Sequence, residues 1–232
     1  TRSSSVTGVQ TCALPISAKA KELEDELVQW RREIHMNPEL SFEERHTTDF
    51  IESKLREFGY SEIKRGFAPV ETGLTAELNS DAAGRITALR ADIDALPITE
   101  AADVPWMSLR EGVSHACGHD AHTAVMLAAA KILFDMRSEI KGHVRLIFQP
   151  AEERSYPGPE FKSGAAFVRD SGALEGVGMV FAMHAWGSYE AGKIFCAEGA
   201  VTGNVAAFTL KVTGKGGHGA QPHLAIDPVI SS

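Results

Sequence analysis

The sequence has few cysteines. Cys12, Cys117 and Cys196 are the three cysteines among its 232 residues, an odd and sparse set. A small disulfide-stabilised domain needs more frequent and paired cysteines, so that class of secreted protein is excluded. We therefore expect a reduced, intracellular setting, and the cytoplasm is the predicted location.

Basic clusters and long apolar stretches are also missing. The formal net charge is −8, from 31 acidic and 23 basic residues, and the longest lysine/arginine cluster is Lys64-Arg65. Nucleic acids and anionic membrane surfaces bind clustered basic faces, so neither is a predicted partner. No stretch of the sequence is apolar over the length that crosses a bilayer.

The start of the chain differs from the charged segment that follows it. Residues 1–17 carry neither a basic n-region nor a sustained apolar run, so they make a poor signal peptide. We interpret this segment as a non-native or disordered leader outside the fold. A natural tail is the alternative.

Helical and strand patterns alternate along the chain after this leader. The predicted helices cover residues 23–34, 42–58 (capped by Gly59), 121–136 and 163–171. The predicted strands cover residues 74–78, 85–90, 143–148 and 178–183, with the first two paired as a hairpin. This alternation predicts an α/β fold with a mostly parallel sheet flanked by helices. Ligands of such sheets bind beyond the carboxyl ends of the strands.

A second unit is predicted to begin near residue 201. Apolar and polar residues alternate over residues 208–212, which predicts a half-buried strand. Asp227-Pro228 then predicts the start of a helix with proline in its first position. The predicted domains are residues 18–200 and residues 201–232.

Two acidic residues follow the second predicted strand. Asp92 and Asp94 are two residues apart, so on an extended segment they point the same way. A charged turn after a strand is the alternative.

The segment richest in metal-binding residue types is His115–His122 (HACGHDAH), which opens a predicted helix. Cys117 and His119 are two apart and can face one cation, and thiolate and imidazole suit zinc and its first-row neighbours. This pattern favours a metal site over a structural loop. A cysteine nucleophile paired with histidine is a further alternative, although no cysteine-hydrolase motif surrounds Cys117.

Further candidate residues follow two other strands and a glycine-rich turn. Glu152 and Glu153 end an apolar strand, and adjacent carboxylates there project in opposite directions, one toward a metal and one toward substrate. His184 ends another apolar strand. His218 follows the turn GKGG in the second unit, where a structural histidine is the alternative. The residues interpreted as structural or surface positions are His35, His46, His143 and Cys196.

Taken together, the segments RADIDALP, HACGHDAHT, QPAEE, MHAW and GKGGHGAQPH resemble the aminoacylase/carboxypeptidase metallopeptidases. They are most similar to the amidohydrolase branch, which includes hippurate hydrolase, N-acyl-amino-acid amidohydrolases and indoleacetyl-amino-acid hydrolases. The resemblance runs from about Leu27 to the last residue, in the order and rough spacing of that family.

The resemblance implies roles for these residues. The implied metal ligands are Cys117, His119, Glu153 and His184, with the Cys117 thiolate bridging two divalent ions, Mn2+ or Zn2+, or else Co2+ or Ni2+. Glu152 would be the general base and acid, and His218 would stabilise the oxyanion across a homodimer. Asp94 would match an aspartate that supports the ligands, whereas Asp92 occupies a position where related branches carry a ligand histidine. The implied reaction converts an N-acyl amino acid to a carboxylic acid and an amino acid.

The resemblance also implies a discontinuous catalytic domain. In that family an α+β lid and dimerisation domain is inserted, and the chain then returns to supply a last histidine ligand. We expect residues 201–232 to be the start of this lid. We therefore expect the 232-residue chain to be inactive and poorly soluble by itself and its parent protein to be active.

Two alternatives to the amidohydrolase remain at this stage. One is a dipeptidase or aminopeptidase of the same architecture, which the Cys-x-His motif disfavours. The other is a metal-binding protein without catalytic activity, which the presence of Glu152 disfavours.

Overall fold

The computed structural model describes residues 10–157, 161–203, 208 and 210–231, without the side chains of residues 10–15 and 231. The helices are α1 (Gln10–Glu22), α2 (Glu24–Met36), α3 (Arg45–Phe58), α4 (His119–Asp135), α5 (Gly164–Asp170) and α6 (Pro228–Ser231), with a 3-10 turn at Pro222–Leu224. The strands are β1 (Ile63–Phe67), β2 (Val70–Leu78), β3 (Ile86–Asp92), β4 (Val144–Gln149) and β5 (Val177–Ala182). None of the described helices is long and apolar enough to cross a membrane.

The described chain divides into two compact units, Thr1–Gly187 and Ser188–Ser232. In the first unit the predicted helices and strands are confirmed, and β1 is an additional strand that was not predicted. The predicted leader lies partly on α1, because residues 10–17 are helical, while residues 1–9 lie outside the described residues. The predicted domain boundary at residue 201 and the origin of the leader stay predictions.

The five strands form one sheet in the order β1-β2-β4-β3-β5. β2 pairs antiparallel with β1 and β4, whereas β3 pairs parallel with β4 and β5. The predicted α/β class with helices flanking the sheet is confirmed. The sheet is mixed, and its parallel part consists of β4, β3 and β5.

The predicted hairpin between β2 and β3 is wrong, because β4 lies between these strands. In β4, Leu146, Ile147 and Phe148 are at most 1% exposed. Three successive apolar side chains need cover on both faces of the sheet, and a central strand has that cover. The turn after β2 must therefore span two strand spacings, about 10 Å.

Apolar side chains cover both faces of the sheet. Leu74, Leu146 and Phe148 are fully buried in one cluster with residues of α2, α3 and α4. Ile147 points to the other face and packs in a second cluster with Phe167 of α5. This alternation along β4 places one helical layer on each side of the sheet.

Helix α3 begins three residues later than predicted, at Arg45 rather than residue 42. Phe42 has a left-handed backbone, with φ of 71°, which does not belong to a right-handed helix. The carboxylate of Glu39 then accepts the backbone N–H groups of His46 (3.0 Å) and Thr47 (2.8 Å). These first-turn donors have no partner within a helix, so their capture by Glu39 fixes the helix start.

In the second unit, one of two predicted elements is present. The helix start at Asp227-Pro228 is confirmed, and Asp227 Oδ1 accepts the N–H of Val229 at 2.9 Å. The strand predicted over residues 208–212 is wrong, because its described residues lie outside any strand. A strand needs a paired neighbour, and the described residues of this unit form only an isolated bridge between Lys215 and Ile226.

Substitution of Gly59 tests how α3 ends. Gly59 has φ of 108° and a Cβ placed there would lie 2.4 Å from Cζ of Phe134. Gly84 has a similar φ of 112°, but among the described residues nothing lies within 4 Å of its added Cβ. We expect Gly84→Ala to lower the free energy of unfolding by about 1 kcal/mol through backbone strain alone.

Gly59→Ala should cost about 2–3 kcal/mol, because steric overlap with Phe134 adds to the same strain. Urea unfolding followed by circular dichroism measures both variants. Equal losses would contradict the tight contact between the α3 terminus and α4.

Candidate metal centre

The predicted site residues of the first unit meet at the carboxyl ends of the parallel strands. Asp92 is the last residue of β3, Gln149 is the last residue of β4, and His184 follows β5 by two residues. His119 is the first residue of α4, which begins at the same edge. The structure therefore places these side chains at the edge of the sheet where ligands of α/β folds are expected to bind.

His119 is the residue common to every group of potential metal ligands among the described residues. Its ring is 1% exposed, and Nδ1 donates to the carbonyl oxygen of Asp94 (2.9 Å) and lies 3.2 Å from Asp94 Oδ1. A histidine whose Nδ1 carries the proton presents a lone pair at Nε2. This Nε2 is buried and has no hydrogen-bond partner among the described residues.

Carboxylate oxygens surround this unpaired nitrogen. The distances from His119 Nε2 are 3.6 Å to Asp92 Oδ2, 3.7 Å to Glu153 Oε1 and 3.9 Å to Glu152 Oε2. Glu153 Oε1 is also buried without a partner among the described residues. Two ligands of one ion, each about 2.0–2.3 Å from it, lie about 3–4 Å apart, so the residues fit a cation.

Cys117 and His184 contribute a second group with His119, in which the ligand atoms lie within 4.8 Å of one another. Cys117 Sγ is 3.5 Å from His184 Nε2, and His184 Nδ1 donates to the carbonyl oxygen of Ala185. His184 therefore directs Nε2 toward the thiol. Burial and the nearby carboxylate of Glu153 raise the pKa of Cys117 to about 12, so a cation is needed to stabilise its thiolate.

Asp94 connects several parts of this centre. Its Oδ2 accepts the hydroxyl of Ser41 (2.6 Å) and the backbone N–H of Glu153 (3.0 Å), while its other side faces His119. Burial acts against ionisation, but the bonds from His119 and Ser41 lower the pKa of Asp94. Asp94 thus contacts a ligand candidate on each side, His119 and Glu153, and its supporting role stays a prediction.

Asp92 has both carboxylate oxygens engaged. His122 Nδ1 donates to Oδ1 at 2.6 Å, and Arg90 Nη1 donates to Oδ2 at 2.7 Å. Despite burial, these two bonds lower the pKa of Asp92 to about 2. Asp92 is therefore an anion held beside His119.

His122 was not singled out from the sequence as a site residue. Its Nδ1 donates to Asp92, and its Nε2 accepts the backbone N–H of Ala185 at 2.7 Å, so both nitrogens are occupied. It joins the end of β3 to the loop that carries His184. Its position three residues after His119 on one helix places both on the same side, a signal that was present in the sequence.

The prediction that Glu152 and Glu153 project in opposite directions is wrong. Oxygens of both lie within 4 Å of His119 Nε2, because the backbone turns at Ala151, where φ is 50°. The two carboxylates differ in exposure, 42% for Glu152 and 20% for Glu153. Burial and the charge of Glu153 raise the pKa of Glu152.

Neither His35 nor His218 belongs to the groups of potential metal ligands among the described residues. His35, interpreted as structural or surface, is buried, and its Nδ1 hydrogen bonds to Asp120, the second residue of α4, at 2.8 Å. Arg31 donates to the same Asp120 oxygen at 2.9 Å, so α2 holds the first turn of α4. His218 belongs to the second unit, where its Nδ1 accepts the N–H of Ala220 at 3.1 Å.

Comparison with known protein families matches residues 88–230 to "Peptidase family M20/M25/M40". The chain belongs to this peptidase family. The match covers more than half of the chain and confirms the family resemblance inferred from the sequence motifs.

Proteins with different names are similar to this chain. An N-acyl-L-amino acid amidohydrolase of Geobacillus stearothermophilus is 41% identical over 90% of this chain and 54% of that protein. Thermostable carboxypeptidase 2 of Saccharolobus solfataricus is 42% identical over 91% of this chain and 52% of that protein. The chain thus spans about half the length of the curated relatives it matches.

A solved structure extends the comparison to three dimensions. The YXEP protein of Bacillus subtilis, described as a dinuclear metal-binding peptidase, is 42% identical, with a TM-score of 0.62. The superposition covers 72% of this chain and 43% of that protein. The α/β fold is therefore that of a solved family member.

Two asparagine substitutions separate a ligand from a supporting histidine. Asparagine replaces the Nδ1–H donor but offers nothing in place of Nε2, so His119→Asn should abolish binding of Mn2+ or Zn2+. His122→Asn keeps the donor to Asp92, so it should bind the same number of ions about tenfold more weakly. Isothermal titration measures both. Complete loss in both variants would make His122 a ligand as well.

Proposed function

We propose that the full protein containing this chain is a metal-dependent amidohydrolase. It hydrolyses the amide bond of an N-acyl amino acid to a carboxylic acid and an amino acid. The observation that carries the proposal is the unpaired Nε2 of His119 beside the unpaired Glu153 Oε1, with the more exposed Glu152 next to them. A protein that only stored a metal would not need this additional carboxylate.

The proposed metal ligands are Cys117, His119, Glu153 and His184. Mixed thiolate, imidazole and carboxylate donors suit two divalent ions, either Mn2+ or Zn2+, with Co2+ or Ni2+ as alternatives. The dinuclear description of the similar Bacillus subtilis protein supports the number of ions. Asp94 orients His119 by accepting the hydrogen bond from the Nδ1–H of the histidine. Asp92 is a second carboxylate beside His119.

Glu152 performs the proton transfers. When bound, the divalent ions supply a Lewis acid that polarises the amide carbonyl and lowers the pKa of water. Glu152 accepts a proton from the attacking water and later donates it to the departing amine nitrogen. Its greater exposure leaves its carboxylate accessible to water and substrate.

The family resemblance supports the remaining parts of the proposal. His218 donates a hydrogen bond to the oxyanion that develops on the substrate, and the full protein is a homodimer formed through its lid domain. The substrate is a small molecule in the cytoplasm.

A carboxypeptidase is the second candidate function. Its support is the 42% identity to thermostable carboxypeptidase 2, which is as high as the identity to the amidohydrolase. Both reactions hydrolyse an amide beside a free carboxylate, so the ligand set alone does not separate them. Release of amino acid from N-acyl amino acids and from peptides, assayed side by side, ranks the two.

Glutamine substitutions at two adjacent positions test the mechanism. In the complete gene product, Glu152→Gln should lower kcat for hippurate and related N-acyl amino acids at least about 100-fold, because it removes the proton carrier. It should leave ion binding nearly unchanged. Glu153→Gln serves as the matched control and should lose ion binding together with activity.

Chelator treatment completes this experiment. Activity should disappear with chelator and return with added Mn2+ or Zn2+. Hydrolysis of peptides alone would favour the carboxypeptidase. Two bound ions without hydrolysis of either substrate class would indicate a metal-binding protein without catalytic activity.

A further inference from the structure

The turn that carries Glu152 and Glu153 has an unusual backbone conformation. Ala151, between the end of β4 and these carboxylates, has φ of 50°. Left-handed backbone costs a residue with a side chain about 1 kcal/mol or more, so contacts elsewhere must stabilise it. The turn also decides that both carboxylates face His119, since an extended continuation of β4 would direct them to opposite sides.

A buried carboxylate from another element contacts this turn. Glu44, immediately before α3, is fully buried, and its Oε1 accepts the backbone N–H of Ala151 at 2.7 Å. Its Oε2 accepts the hydroxyl of Thr72, in β2, at 2.6 Å. Glu44 is 107 residues from Ala151 in the sequence, so this contact depends on the tertiary fold.

Glycines complete the surroundings of the turn. Gly164 donates its N–H to the carbonyl oxygen of Ala151 at 2.8 Å, and a Cβ there would lie 1.7 Å from the oxygen of Pro150. A Cβ on Gly73 would lie 2.5 Å from Cδ of Pro150. Small residues thus allow two other segments to approach the turn closely, and Glu44 is the side chain that binds Ala151 N–H.

Two carboxylates hold the N–H groups on either side of Glu152. Glu44 accepts the N–H of Ala151, and Asp94 accepts that of Glu153. Asp94 also contacts His119, whereas the carboxylate of Glu44 accepts its hydrogen bonds from the turn and from Thr72.

The carboxylate of Glu44 has no bond to the first turn of its own helix. Glu44 occupies the N-cap position of α3 without a side-chain capping bond. The first turn of α3 is instead capped by Glu39, whose carboxylate accepts the N–H groups of His46 and Thr47. A role of Glu44 limited to helix capping is therefore excluded by the geometry.

We propose that Glu44 is a positioning residue for the metal centre: by binding Ala151 N–H it holds the turn that directs Glu153 and Glu152 toward His119. This inference rests on the proposed function only for the roles of the two glutamates. Its test is cation affinity, which is measured without catalysis.

A neutral side chain of the same shape can make the same contacts. Burial raises the pKa of Glu44 to about 7, with Asp94 the nearby charge that adds to the effect. Glutamine offers one oxygen to Ala151 N–H and an amide group that donates to the Thr72 hydroxyl. Methionine has a similar volume and supplies neither bond.

The experiment measures Co2+ affinity of the complete gene product by isothermal titration. Glu44→Met should weaken Co2+ binding about tenfold, the low end for residues that support ligands from outside the coordination sphere. Glu44→Gln should bind Co2+ like the unmodified protein. Glu39→Met is the matched control, because it removes contacts from the same helix terminus without touching the turn, and it should also bind normally.

A glycine at position 151 provides a rescue. Glycine adopts positive φ without the steric cost of a Cβ, so it removes the strain that the bond to Glu44 offsets. Ala151→Gly should therefore restore part of the affinity lost in Glu44→Met, a coupling that general destabilisation would not produce. If Glu44→Met does not fold, as judged by circular dichroism, Glu44→Ser replaces it in the same comparison.

Three results would overturn the inference: normal Co2+ affinity in Glu44→Met, an equal loss in Glu39→Met, or no rescue by glycine. Failure of the proposed function is distinguishable from these results. A protein that hydrolyses no amide but loses Co2+ affinity as described would retain the role of Glu44. If the protein is an active amidohydrolase and Glu44→Met binds Co2+ normally, the proposed role of Glu44 is wrong and the proposed function stands.

Discussion

Carboxylate oxygens of Asp92, Glu152 and Glu153 converge within 3.6–3.9 Å of an unpaired, buried imidazole nitrogen of His119. Like charges this close together repel one another, and a buried polar atom without a partner costs about 1–3 kcal/mol. A cation removes both of these energetic costs, because it neutralises the carboxylates and accepts the lone pair of the nitrogen. The mixed sulfur, nitrogen and oxygen donors around this position then determine which metals fit.

The fold supplies this arrangement through its long-range contacts. β4, β3 and β5 end at one edge of the sheet, so residues 92, 149 and 184 become neighbours although they are far apart in the chain. α4 brings His119 to the same edge. Hydrogen bonds from buried polar groups then orient these residues. Asp94 binds His119 and Glu153, and His122 binds Asp92 and the loop after β5. Glu44 binds the turn after β4.

Much of this could be predicted from the sequence, because strand ends and metal-binding residue types are local patterns. The helices and strands of the first unit other than α1 and β1 followed from such patterns, as did the convergence of Asp92, Cys117, His119, Glu153 and His184. The order of the strands in the sheet could not be predicted in this way, since nothing in the turn after β2 indicates that β4 lies between β2 and β3. The direction of Glu152 and Glu153 depends on a left-handed residue, and that conformation depends on Glu44, which no local pattern connects to it.

X-ray absorption at the zinc edge of the zinc-loaded complete protein tests the central claim most directly, because it reports the ligands themselves. We predict one sulfur neighbour per zinc ion, from a bridging Cys117, at about 2.3 Å together with nitrogen and oxygen neighbours at about 2.0–2.2 Å. Substituting Cys117 with serine should remove the sulfur signal and leave the lighter neighbours. A spectrum with nitrogen and oxygen alone in the unmodified protein would contradict a centre built on Cys117 and His119.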